Sequence, residues 1–140
     1  MPALLHELVV SAAARHTDVT ALTFGPHALN YGALNAAVVG FACGMRLLGL
    51  PRAGRVGIYL EKRFETVIAS FGAPAAGGVF VPMNPLLKPE QVAFIAQDCA
   101  VQVLVTSPER LALLAPVLHS CPALQHVVLT EPLRHPAALP

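Results

Sequence analysis

The stretch from Phe71 to Gln91, FGAPAAGGVFVPMNPLLKPEQ, constrains the fold more than any other part of the chain. Gly77 and Gly78 suit the end of a helix, where a positive φ is often needed. Val79, Phe80 and Val81 form a short apolar β-run. Pro82, Asn84 and Pro85 stiffen the loop that leaves it, and Pro89 suits the first turn of a new helix. A helix, a short buried strand and another helix in so few residues is the rhythm of an α/β sheet rather than of a bundle or a sandwich.

The same rhythm continues on both sides. Arg55 to Leu60 reads as a strand and Lys62 to Ala76 as a helix, with Phe64, Val67, Ile68 and Phe71 inward. After strand Val79 to Val81 come helix Pro89 to Asp98, strand Val101 to Val105, helix Pro108 to Leu118 and strand His126 to Leu129. This alternation predicts a parallel sheet flanked by helices on both faces. Upstream, helical spacing of Leu4, Leu5, Leu8, Val9 and Ala12 predicts a first helix to about His16. Thr20 to Asn30, broken at Gly25-Pro26, reads as a β-hairpin arm. Asn30 is positioned to N-cap a helix from Tyr31 to about Leu48, which Gly49 and Pro51 end. Its core stripe is Leu34, Val38, Phe41, Ala42, Met45 and Leu48. Gly40 and Gly44 inside it call for close packing by another element; otherwise they are weak points. The expected organisation is an incomplete α/β subdomain over residues 1–130 and an unstructured tail over 131–140, which carries three prolines.

Hydrophobic residues make up 55 % of the chain and charged residues 12 %, against typical values of roughly 45–50 % and about 25 %. A small domain so apolar is expected to present apolar surface to something else, and to self-associate without it. The net charge is +1 and the nine Lys and Arg residues are scattered, which argues against nucleic acid. Charge-free windows at 19–45 and 66–87 are interrupted by prolines and asparagines, so no transmembrane segment is expected. Cys43, Cys99 and Cys121 are odd in number and far apart, and read as buried free thiols of a cytoplasmic protein.

The segment Leu29-Asn30-Tyr31-Gly32-Ala33-Leu34 resembles the first core motif of the adenylate-forming enzymes, of the type L-x-Y-x-E-L. Pro74 to Asn84, PAAGGVFVPMN, resembles their second, of the type K-A-G-x-x-Y/F-V-P-x-D/N. Leu47 to Val56 and Val103 to Thr106 also match. Departures are Gly54-Arg55 where the family has Gly-Asp-Arg, Gly32-Ala33 before Leu34, and Pro74 within a helix. LEKRFETV at 60–67 and NPLLKPEQVAFI at 84–95 look like AMP-forming acyl-CoA ligases, in particular the subgroup associated with exosortase A and exopolysaccharide clusters.

The resemblance implies activation of a carboxylate by ATP and Mg²⁺ as an acyl-adenylate, followed by transfer to CoA. It also implies that this chain is the N-terminal part of such an enzyme. The family's phosphate loop, Thr-Glu motif, ribose-binding Asp and adenylation Lys have no counterpart here, so no catalytic residue is carried over. The chain alone is expected to be inactive and to bind none of ATP, Mg²⁺ or CoA tightly. Its partner would be the remainder of the enzyme. The alternative is a stand-alone non-catalytic interaction module of the same fold.

Few local signals remain. Gly72 to Gly77 has P-loop glycine spacing but lacks the Lys and Ser/Thr, and it follows a helix instead of opening one. His119, Cys121 and His126 lack a fourth metal ligand nearby. Lys62 and Arg63 follow the carboxyl end of a strand, where open parallel sheets bind ligands. A solvated pair beside Glu61 and Glu65 is the plainer reading. Asn84 is the best candidate to line a substrate or CoA channel, though an Asx turn within its own loop accounts for it as well.

Overall fold

The computed structural model describes residues Pro2 to Arg134; of the tail expected over 131–140, residues 135–140 lie outside the described residues. The elements are α1 (Glu7–Arg15), β1 (Thr20–Phe24), β2 (His27–Asn30), α2 (Tyr31–Leu47), β3 (Arg55–Tyr59), α3 (Phe64–Ala75), β4 (Val79–Met83), α4 (Pro89–Asp98), β5 (Val101–Thr106), α5 (Pro108–Leu114), a 3₁₀ turn (Leu118–Ser120) and β6 (His126–Leu129). The described residues fall into two compact units, residues 2–53 with 62–78, and residues 54–61 with 79–134.

The first unit holds the three N-terminal helices and the hairpin. β1 and β2 pair antiparallel, Phe24 opposite His27. Asn30 caps α2 as expected, its Oδ1 accepting from the Ala33 N–H at 2.8 Å. Val9, Leu34 and Val38 are buried, with Val67, Ile68, Phe71 and Ala75 of α3 packed against them. Phe41 packs against Gly72: a Cβ there would sit 3.0 Å from its Cγ and closer still to Cδ1. The glycine is what lets α2 and α3 approach.

α3 ends in a Schellman motif. Gly77 adopts φ 84°, its N–H bonds to the Pro74 carbonyl at 2.9 Å, and the Gly78 N–H bonds to the Ala73 carbonyl at 2.9 Å. α2 ends the same way at Gly49, φ 80°, with Gly49 bonded to Arg46 and Leu50 to Met45.

Several expectations need correction in this unit. The third helix starts at Phe64, not Lys62, because Arg63 is extended at φ −152°, ψ 173°. The first helix starts at Glu7 and buries Val9 and Ala13, while Leu4, Leu5 and Leu8 stay exposed. Among the described residues nothing lies within 4 Å of a Cβ built on Gly40 or Gly44, so they are weak points and not packing sites. Cys43 is exposed on α2, since it shares the outward face with Val39 and Leu47.

The second unit is the sheet, β4-β3-β5-β6, parallel throughout. Val56, Ile58 and Tyr59 of β3, and Val103, Leu104 and Val105 of β5, are all buried. Consecutive strand residues point to opposite faces, so neither face of the central strands meets solvent. Val92, Ala93 and Ala96 of α4 and Leu114 of α5 pack with Tyr59, Met83, Val101 and Leu104. β4 runs on to Met83, past the expected end at Val81. Pro82 is tolerated because β4 is an edge strand, where no outward N–H is needed. α5 stops at Leu114 instead of continuing to Leu118, and a 3₁₀ turn follows.

Candidate functional site

The carboxyl ends of the four strands finish level. Tyr59 stands opposite Met83 on one side and Thr106 on the other, and Thr106 opposite Leu129. The loops that leave this edge therefore converge at the end of the sheet where parallel α/β proteins place ligands.

A chain of polar contacts ties three of these loops together. The buried Thr106 hydroxyl donates to the Tyr59 carbonyl at 2.8 Å, fixing the last residues of β3 and β5. The Tyr59 hydroxyl donates to the Leu87 carbonyl at 2.8 Å. The Arg110 guanidinium lies over the Tyr59 ring, 4.7 Å from its centroid, within the range of cation–π attraction. Its Nη1 donates to the Pro85 carbonyl at 2.9 Å and its Nε to Glu61 Oε2 at 3.2 Å. Arg110 can stand there because Ser107 caps α5, accepting the Arg110 N–H at 3.3 Å, and Pro108 occupies the first helical position.

The loop itself is braced from within. Asn84 Oδ1 accepts from Leu86 N–H at 2.9 Å, the Asx turn read from the sequence. The Leu87 N–H reaches the Asn84 carbonyl at 3.1 Å, and Gln91 Oε1 takes the Lys88 N–H at 2.9 Å at the start of α4. Leu86 projects outward, 88 % exposed.

Lys62 and Arg63 belong to the first unit and Asn84 to the second. Arg63 pairs with Glu65, Nε to Oε2 at 2.8 Å, and Lys62 is exposed. The two line a cleft of about 180 Å³ with Leu22, Thr23, Phe24, Phe64 and Val67. Phe24 and Phe64 meet there edge to face, centroids 6.2 Å apart. Sequence reasoning missed Tyr59, Thr106 and Arg110. A Tyr closing one apolar strand and an Arg in the first turn after another were the available signals, but only strand register brings them together.

The segment from Gly72 to Gly78 does not cradle a phosphate. Around Gly72 to Gly78 the amides of Gly77 and Gly78 are spent on helix carbonyls, leaving nothing for an anion to accept. The described residues hold no cluster of three or more His, Cys, Asp or Glu. No helix among them is long and apolar enough to cross a membrane.

The model of the AMP-binding enzymes matches residues 9–139. The chain belongs to that family. Bacitracin synthase 1 of Bacillus licheniformis is 33 % identical over 102 residues, 73 % of this chain and 2 % of that protein. Surfactin synthase subunit 1 of Bacillus subtilis is 31 % identical over 101 residues, 72 % of this chain and 3 % of that protein. The anthranilate CoA ligase AuaEII, solved in complex with anthranoyl-AMP, superposes with a TM-score of 0.86 at 24 % identity over 92 % of this chain and 25 % of its own. The N-terminal domain of FACL13 from Mycobacterium tuberculosis superposes at 0.80 with 21 % identity, over 93 % and 34 %. Those likenesses establish the fold. The chain spans a few per cent of these synthases and about a quarter to a third of the solved structures.

Proposed function

We propose that this chain is the N-terminal part of an ATP-dependent ligase that joins a carboxylate to CoA through an acyl-adenylate. The observation that carries this is the family match over residues 9–139, in a stretch holding none of the family's phosphate, Mg²⁺ or adenylation motifs. A region with that match and that omission supplies scaffold and channel wall, while the chemistry is done by residues elsewhere in the enzyme. CoA as acceptor, and the exosortase-associated subgroup, rest on LEKRFETV at 60–67 and NPLLKPEQVAFI at 84–95. Asn84 is assigned to the wall of the substrate or CoA channel, and Lys62 and Arg63 to its charged margin. An exposed ammonium such as that of Lys62 suits a phosphate-bearing acceptor.

The test compares two proteins. One is the 140-residue chain, and the other is the longest open reading frame that contains it, each assayed with ATP, Mg²⁺, CoA and a panel of carboxylates. Acid-dependent pyrophosphate release and acyl-CoA formation by the long protein, with neither from the chain alone, is the expected result. Pyrophosphate release without any acyl-CoA would remove CoA as the acceptor. Turnover by the 140-residue chain above a blank would overturn the division of labour.

A further inference from the structure

We infer that Arg110 is a positioning residue that sets the loop from Asn84 to Lys88, and through it the wall of the proposed channel; the channel role rests on the function proposed above. Within the loop, Asn84 and Gln91 shape local turns. What ties the loop to the sheet comes from outside it: Arg110 on the Pro85 carbonyl and Tyr59 on the Leu87 carbonyl. These two anchors are themselves joined, since the guanidinium stacks on the Tyr59 ring. The third contact, to Glu61, draws in the segment after β3. One side chain on α5 thus holds the segments leaving β3 and β4 in a single arrangement.

The geometry asks for arginine specifically. The side chain of Arg110 is only 19 % exposed, so its donors have little water to fall back on. A planar fork can lie on an aromatic face while donating in two directions at its edge; an ammonium can reach one acceptor but cannot stack in that way.

Backbone hydrogen exchange on the 140-residue chain tests this whether or not the longer protein makes acyl-CoA. Arg110→Met keeps the stem over Tyr59 but removes every donor. It is expected to speed exchange at the Leu86, Leu87 and Lys88 amides at least tenfold while Ile58 and Val105 in the strands keep their rates. Tyr59→Phe is expected to act on the same amides. Arg110→Lys is expected to resemble Arg110→Met, although it retains the charge beside Glu61. Wild-type loop rates in Arg110→Met would overturn the inference, as would equal acceleration of loop and strands, which marks a purely structural role. Recovery of the loop by Arg110→Lys would overturn it too, by reducing the device to a single ion pair. Should Arg110→Met fail to fold, Arg110→Lys and Tyr59→Phe still decide between these outcomes.

Discussion

Ala100 adopts φ 50° one residue beyond the C-cap of α4, where α2 and α3 each place a glycine. Its N–H closes on the Gln97 carbonyl at 3.0 Å, so the turn forms despite the Cβ. A left-handed residue other than glycine costs about 1–2 kcal/mol, part of which glycine returns as unfolded-chain entropy. Ala100→Gly is expected to stabilise the chain by about 1 kcal/mol, read from denaturant midpoints. Alanine carries no turn signal, yet α4 ends at Asp98 as expected from the sequence. Glu7 shows a second single-residue effect. Its carboxylate accepts from the N–H groups of Ala3 at 2.6 Å and Leu4 at 3.2 Å, and these backbone bonds hold its pKa below the usual value. A carboxyl with a lowered folded pKa adds stability above its unfolded pKa of about 4.3 and loses it as pH falls through the folded value. The stability gap between the wild type and Glu7→Gln should therefore be constant near neutrality and shrink on acidification below roughly pH 4. A gap that widens there would contradict the bonding described.

Helices α2 and α3 make different uses of glycine. Gly40 and Gly44 lie inside α2 with open space where a side chain would be, whereas Gly72 of α3 is filled by Phe41. Replacement of Gly40 or Gly44 by Ala should stabilise the chain by ~0.5–1 kcal/mol each, the helix-interior cost of glycine. Gly72→Ala should destabilise it by ~1–3 kcal/mol through overpacking, since the ring is not a flexible tip that can step aside. Thermal melts of the three variants would show opposite signs. Pro74 tests α3 further. It sits one residue before the end of the helix and leaves the Ser70 carbonyl without its usual donor, while Ser70 Oγ turns back to the Thr66 carbonyl at 2.7 Å. A proline in mid-helix costs about 3 kcal/mol or more; in a last turn already closed by the Schellman bonds, Pro74→Ala should gain only ~1 kcal/mol. A neutral result would mean that the unfolded-state stiffness of proline cancels the lost bond. The strand–helix alternation was legible because apolar runs, glycines and prolines are local signals. Helix starts near Lys62 and strand ends near Val81 were misplaced because charge pattern and proline say little about where backbone φ and edge position settle. The Asx turn at Asn84 was legible because it lies within its own loop. Arg110 and Tyr59 could not be paired without the register that sets Tyr59 beside Thr106.

At the scale of the whole molecule, apolar surface is the feature the sequence announced and the structure locates. In the first unit Leu4 and Leu8 are more than half exposed, as are Val39 and Leu47 of α2. In the second, Leu86, Phe94 and Leu113 are. Phe94 borders two shallow depressions along α4, one with Leu87 and Ile95, the other with Val117 and His119. Single exposed apolar residues are ordinary; contiguous apolar surface left uncovered marks an interaction site or an association liability. At about 25 cal/mol per Å², covering even ~200 Å² of such surface is worth ~5 kcal/mol before the cost of association. The 140-residue chain is therefore expected to form oligomers at tens of micromolar, by light scattering, and to enhance the fluorescence of a hydrophobic dye. Placed in the longer protein of the proposed ligase, the same region should lose most of that dye response per molecule, because the rest of the enzyme covers it. A monomeric, dye-silent 140-residue chain would mean that these side chains need no cover, and would count against the proposal that the region works as part of a larger ligase.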